Sequence, residues 1–153
     1  MRLSELLNPK AVTLRLAART KREALVELVQ LLESAHGFKS QGEILDRVMR
    51  REAMMTTGIG VGIAIPHGKL PGLKGVVAVF GRSQQGIDCH SLDGLPTKLF
   101  FLLVAPEESA GVHLKALARV SRLLKDKAFR DRLLQGTTRA TLYQVICEED
   151  ARL

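Results

Sequence analysis

The fold class predicted by the sequence is α/β (or α+β) on a mixed sheet, and three observations lead to it. Apolar residues alternate with polar ones at Val12, Leu14 and Leu16, the pattern of a half-buried strand. Unbroken apolar runs near residues 76–80 and 99–104 are strand-length and flanked by Gly, Lys and Pro, as in fully buried strands. Between and beyond these segments, apolar residues recur at helical spacing, so helices and strands interleave.

The elements follow in order. Residues 3–7 suit one helical turn, stopped near Pro9. A strand covers residues 12–16. Thr20 and Glu23 form a capping box that opens a helix, Leu25, Leu28, Val29 and Leu32 make its stripe, and Gly37 ends it. His36, just before that glycine, reads as a cation at the helix end. Ser40 and Glu43 suggest a second capping box, with Ile44, Leu45, Val48 and Met49 on one face of a helix running into Arg50, Arg51 and Glu52. The two buried strands come next, and Pro106 breaks the chain. A long helix begins near Ser109 with Leu117, Val120 and Leu124 in line, a shorter one ends at Gly136, and Thr137 or Thr138 caps the last. There is no linker, low-complexity tract or internal repeat, so residues 1–153 are expected to form a single domain.

Composition narrows the function. With no Trp and one Tyr, the core must rest on Leu, Val, Ile and Ala. The formal charge of +7 suits acidic partners. The cations are spread through helical segments, however, with no aromatic stacking surface, so a solvated face is expected and not nucleic-acid binding. Cys89 and Cys147 lie far apart without CxxC spacing, which fits a reducing compartment and argues against a zinc site. The start, MRLSELLNPK, lacks the apolar run of a signal peptide, and no stretch approaches a bilayer span. The expectation is a cytoplasmic chain with no membrane insertion.

The segment GIGVGIAIPHGK, residues 58–69, concentrates three alternate glycines before one histidine. It is not a dinucleotide fingerprint: the spacing is G-x-G-x-G, a helix precedes it, and Pro66 stands where a helix must begin. The glycines suggest close approach of another group, here a flat rim beside His67. Pro66 and Gly68 predict that His67 sits at a rigid corner after a strand. Among the other histidines, His90 lies in a polar loop, while His113 falls in the first turn of the long helix on the side of Leu117 and Val120. From position alone, a lone histidine on such a face is more often a hydrogen-bonded residue at the core's edge than a functional one.

The words TTGIGVGIAIPHGK and HLKALARVSRLL resemble the enzyme IIA domain of the fructose–mannitol class of the bacterial phosphotransferase system. KLFFLLVAPEESAGVHLKALA brings the chain nearest the nitrogen-regulatory branch, and the resemblance covers nearly all of it. It implies a mixed sheet flanked by helices on both faces. It implies a phosphohistidine carrier that accepts a phosphoryl group on His67 from HPr or its nitrogen-branch equivalent and acts as a regulator; the alternative is a sugar-specific IIA component passing phosphate to a IIB partner. His113, 46 residues beyond His67, matches the second active-site histidine, and Arg51, 16 residues before it, the family's arginine. Thr57 stands where a Ser or Thr able to hydrogen-bond is usual, whereas Val61 replaces a frequent polar residue. No metal or organic cofactor is implied. Phosphorylation is expected to switch partner choice at an apolar face around His67, built from Ile63, Ile65 and the glycines.

Overall fold

The computed structural model describes residues 1–153, Ala110 by its backbone alone. Six helices surround a six-stranded sheet: α1 (Leu3–Leu6), β1 (Val12–Thr13), α2 (Lys21–His36), α3 (Glu43–Met54), β2 (Gly58–Gly60), β3 (Ile63–Ala64), β4 (His67–Leu70), β5 (Val77–Ile87), β6 (Thr97–Pro106), α4 (Ala110–Leu124), α5 (Lys127–Gln135) and α6 (Arg139–Ala151). The sheet order is β1-β5-β6-β3-β2, with β4 also paired to β6. It is mixed, as expected: β5 and β6 are antiparallel, while β1 runs parallel to β5, and β3 and β4 run parallel to β6.

The two buried strands are longer than their apolar runs suggest, because the long antiparallel pairing carries them past the core. Every residue from Leu99 to Ala105 is buried, so both faces of β6 are covered. Helices α2 and α3 pack on each other against β5 and β4, and α4, α5 and α6 form the other group. The predicted strand at 12–16 pairs regularly only over Val12–Thr13, although the Leu16 N–H still reaches the Arg82 carbonyl at 2.8 Å.

Local signals served well at most helix ends. Thr20 Oγ1 accepts the Glu23 N–H, and Gly37 takes φ 75° at the end of α2. Thr138, not Thr137, caps α6. The second capping box does not form. Gln41 and Gly42 turn with positive φ, Gly42 becomes the residue before α3, and the Ser40 hydroxyl accepts from Ile44 instead. The Ser40 N–H, which the box would give to Glu43, donates instead to Glu33 of α2, seven residues back, at 2.6 Å. His36 does more than end its helix: Nε2–H donates to the Ala78 carbonyl of β5 at 2.9 Å.

β3 and β4 lie end to end along one edge of β6. Ile63 and Ala64 pair with Leu99 and Phe100, and His67 to Leu70 pair with Leu103 to Pro106. Ile65 and Pro66 interrupt the row, because proline offers no N–H to the ladder. The interruption places His67 at the first position of β4.

Candidate active site

His67 opens a strand and does not sit in a turn, a correction to the predicted corner; Gly68 has no positive φ. Gly68 serves packing instead. A Cβ there would stand 3.2 Å from Val48 Cγ2 and 3.3 Å from the Val48 backbone nitrogen, so its absence lets α3 lie close against β4. That approach sets Arg51, one turn beyond Val48, beside the histidine strand.

The glycines before His67 also have a different role from the expected rim. They belong to a hairpin, β2 to β3, in which Gly60 and Gly62 take φ 92° and 82°. A Cβ on Gly58 would stand 2.3 Å from Ser91 Oγ, and one on Gly60 3.0 Å from Asp93 Oδ2. The open space therefore admits the loop of residues 91–93, and Asp93 bonds the Val61 N–H at 2.8 Å.

His67 Nδ1 lies 2.8 Å from the Ile65 carbonyl. A carbonyl only accepts, so Nδ1 carries the proton and Nε2 keeps its lone pair. Burial depresses the His67 pKa below 6.5; the Ile65 bond opposes this, and the charge of Arg51 adds to the depression. His113 reaches the site from the first turn of α4, its ring centroid 5.2 Å from that of His67. It is buried, with its pKa pushed down to about 4 by burial first and then by His67 and Lys69. Its Nδ1 is the one buried side-chain nitrogen or oxygen without a hydrogen-bond partner among the described residues.

A cleft of about 360 Å³ joins these groups, lined by Arg47, Arg51, His67, Gly68, Lys69, Glu107 and His113. A larger hollow, about 620 Å³, lies along α2 beside Phe38 but holds no histidine, cysteine or arginine. Arg51 folds its guanidinium over the end of α3, with Nη1 donating to the Met55 carbonyl at 2.8 Å. Thr57 is buried away from this group: its hydroxyl donates to Glu52 Oε2 at 2.6 Å and its N–H to Glu52 Oε1 at 2.9 Å. Three lining residues escaped the sequence reading. Lys69 had a signal, two places beyond His67 on one strand face. Arg47 had one too, a turn before Arg51. Glu107 comes in through the sheet pairing and had none.

The apolar face expected from Ile63 and Ile65 does not form. Ile63 and Ile65 are core residues, 1% and 4% exposed, because the strand row that carries them is covered. Apolar residues exposed close by in the chain are Met54 and Met55 after Arg51, and Val112 and Leu114 on either side of His113. His90 is exposed at a loop, as read.

Residues 5–149 match the model of the family described as phosphoenolpyruvate-dependent sugar phosphotransferase system, EIIA 2. A nitrogen regulatory protein of Bradyrhizobium diazoefficiens is 38% identical over 146 residues, 95% of each chain. The fructose-specific EIIABC component of Bacillus subtilis is 34% identical over 150 residues, which are 98% of this chain and 24% of that longer one. The crystal structure of the nitrogen regulatory protein IIA-Ntr from Neisseria meningitidis superposes with a TM-score of 0.86 at 27% identity, covering 94% of this chain and 98% of that one.

Proposed function

The chain belongs to the EIIA 2 family of the phosphoenolpyruvate-dependent sugar phosphotransferase system, and from that premise we propose that His67 is its phosphoryl acceptor and that it serves as a regulatory phosphocarrier. Members of the family act as phosphoryl carriers in a relay, and this one lies close both to nitrogen regulatory proteins and to sugar-specific IIA components. The observation that carries the assignment is the Nδ1–H bond to Ile65, which leaves Nε2 as an available nucleophile.

In the proposed step, Nε2 attacks the phosphorus of a phosphohistidine on an HPr-type carrier. A new N–P bond forms, the donor's N–P bond breaks, and its electron pair returns to the donor ring. No proton need move: Nδ1 keeps its hydrogen, and the positive charge that develops on the ring strengthens its bond to the Ile65 carbonyl. Catalysis is alignment plus charge stabilisation. Arg51 gives guanidinium N–H groups to the phosphoryl oxygens, neutral His113 gives one N–H, and Lys69 adds positive charge. Thr57 acts on this group only through its neighbours.

The product carries about −1.5 to −2 added charges in the cleft. A partner packed on Met54, Met55, Val112 and Leu114 would have to bury that charge, whereas one presenting arginines would gain. Phosphorylation thus selects partners without refolding the domain. The 34% identity to a fructose-specific component supports a second reading, transfer onward to a IIB partner.

The test is incubation with phosphorylated HPr-type carrier and mapping of the label. An acid-labile, alkali-stable phosphoramidate on His67 is expected, absent in His67→Ala. Label on His113, or label persisting in His67→Ala, contradicts the assignment. Addition of a IIB protein then separates regulator from sugar relay.

A further inference from the structure

Behind His67 lies a chain of contacts that the phosphoryl chemistry does not itself require. Lys21 Nζ, at the start of α2, stands 2.6 Å from Glu52 Oε1. Glu52, 8% exposed, also accepts both the N–H and the hydroxyl of Thr57. The Thr57 carbonyl accepts the Ile65 N–H at 3.1 Å. The Ile65 carbonyl accepts His67 Nδ1–H at 2.8 Å. One line of hydrogen bonds thus runs from an ion pair with a buried carboxylate and a half-buried lysine to the ring of the proposed acceptor.

We propose that Glu52 is a positioning residue for His67: held by Lys21, it anchors Thr57, Thr57 anchors Ile65, and the Ile65 carbonyl selects the ring tautomer with the proton on Nδ1. The role rests on the reading of His67 as acceptor. Ile65 and Pro66 interrupt the strand row, and Ile65 itself has no partner on β6. Its N–H is tied to Thr57, so Thr57 sets how the following carbonyl points. Without that tie the carbonyl is held less firmly, and the ring shifts towards the tautomer with the proton on Nε2, which leaves no lone pair on that nitrogen to attack phosphorus.

The buried pair makes sense in these terms. Burial raises the Glu52 pKa, but the bonds from Lys21 and Thr57 outweigh it, and the carboxyl is held below its usual range, hence ionised at neutral pH. Buried ion pairs contribute little net stability, so a role in local geometry accounts for it better than one in fold stability. Glu52 also spans the reversal between α3 and β2, which tethers the Arg51 end of α3 to the strand row that carries His67.

The experiment is ¹⁵N-resolved NMR of the histidine rings in the intact protein without any partner, alongside the rate of labelling by phosphorylated HPr-type carrier. E52D keeps the charge and loses the reach; E52Q keeps the length and loses the charge. In the wild type, His67 should carry its proton on Nδ1. In E52D and E52Q the two tautomers should mix, and labelling should slow roughly five-fold or more as the competent fraction falls. Thr57→Val, which removes only the hydroxyl, should shift the tautomer in the same direction by less, and it decides the matter if the Glu52 variants do not fold. A wild-type tautomer in folded E52D, or in Thr57→Val where that variant decides, overturns the proposal. An unlabelled wild type would instead overturn the acceptor assignment, with the tautomer result still deciding the positioning role.

Discussion

The rings of His67 and His113 stand 5.2 Å apart with their planes tilted by 52°. Each is depressed in pKa chiefly by burial, and His113 further by the charge His67 would carry. The pair therefore enters neutral pH as two uncharged imidazoles, which the proposed function uses as one nucleophile and one donor.

The rate of labelling should reflect this. It should be level above pH 7 and fall on acidification through the His67 pKa, at a midpoint below 6.5. Measured with a carrier whose own reactivity has been profiled separately, a midpoint above 6.5 would contradict the buried, neutral nucleophile.

Stability should depend on pH through His113. Its folded pKa of about 4 lies below the unfolded 6.5. Between those values the unfolded chain binds the proton and the folded chain does not, so stability falls as pH drops through this window. From pH 7 to pH 5 the loss should be about 2 kcal/mol from this residue, by urea unfolding. His113→Gln should remove most of that slope. Glu52, ordinarily titrating near 4.5 and depressed in the fold, contributes its loss only below this range.

His113→Ala and Arg51→Lys should both label His67 slowly. Loss of one preorganised donor costs about 10²–10³ in rate where charge develops. The lysine keeps the charge of Arg51 but not its planar fork. Single-turnover labelling measures this, and wild-type rates would return both residues to structural roles.

Gly68→Ala should act on the site through packing. The added Cβ meets Val48 Cγ2 at 3.2 Å and the Val48 backbone nitrogen at 3.3 Å. α3 must move away from β4, at a cost of about 1–3 kcal/mol, carrying Arg51 away from His67. Adding Val48→Ala should restore only part of stability and rate, since the backbone contact remains. Full restoration would show that only the side chain was in the way.

Arg82, 5% exposed, has no acidic partner among its hydrogen bonds. Its Nη1 donates to the carbonyls of Leu133, Leu134 and Gly136, satisfying the end of α5, and its Nε to Leu14. Arg82→Met should cost about 2–4 kcal/mol in urea unfolding, because several acceptors lose their donor together. The labelling rate of the folded protein should be unchanged.

What the sequence determined by itself was local or pattern-borne. Thr20 and Gly37 bound α2 through contacts within a turn, which a four-residue window displays. The apolar runs of β5 and β6 announce a covered sheet, and the words around His67, His113 and Arg51 carry the family. Only the tertiary structure decided which groups meet. His67 and His113 come together because β4 pairs with β6 and α4 leaves the end of β6, a register that no spacing reveals. The same long-range packing gave Gly58 and Gly60 to the Ser91–Asp93 loop and Gly68 to α3. It buried Ile63 and Ile65 and exposed Met54 and Leu114. Nearer in the chain, Glu33 took the Ser40 N–H across the turn between α2 and α3, and a capping box that looked complete did not form. A side chain shows its type in the sequence, but its partner is set by the path of the chain between them.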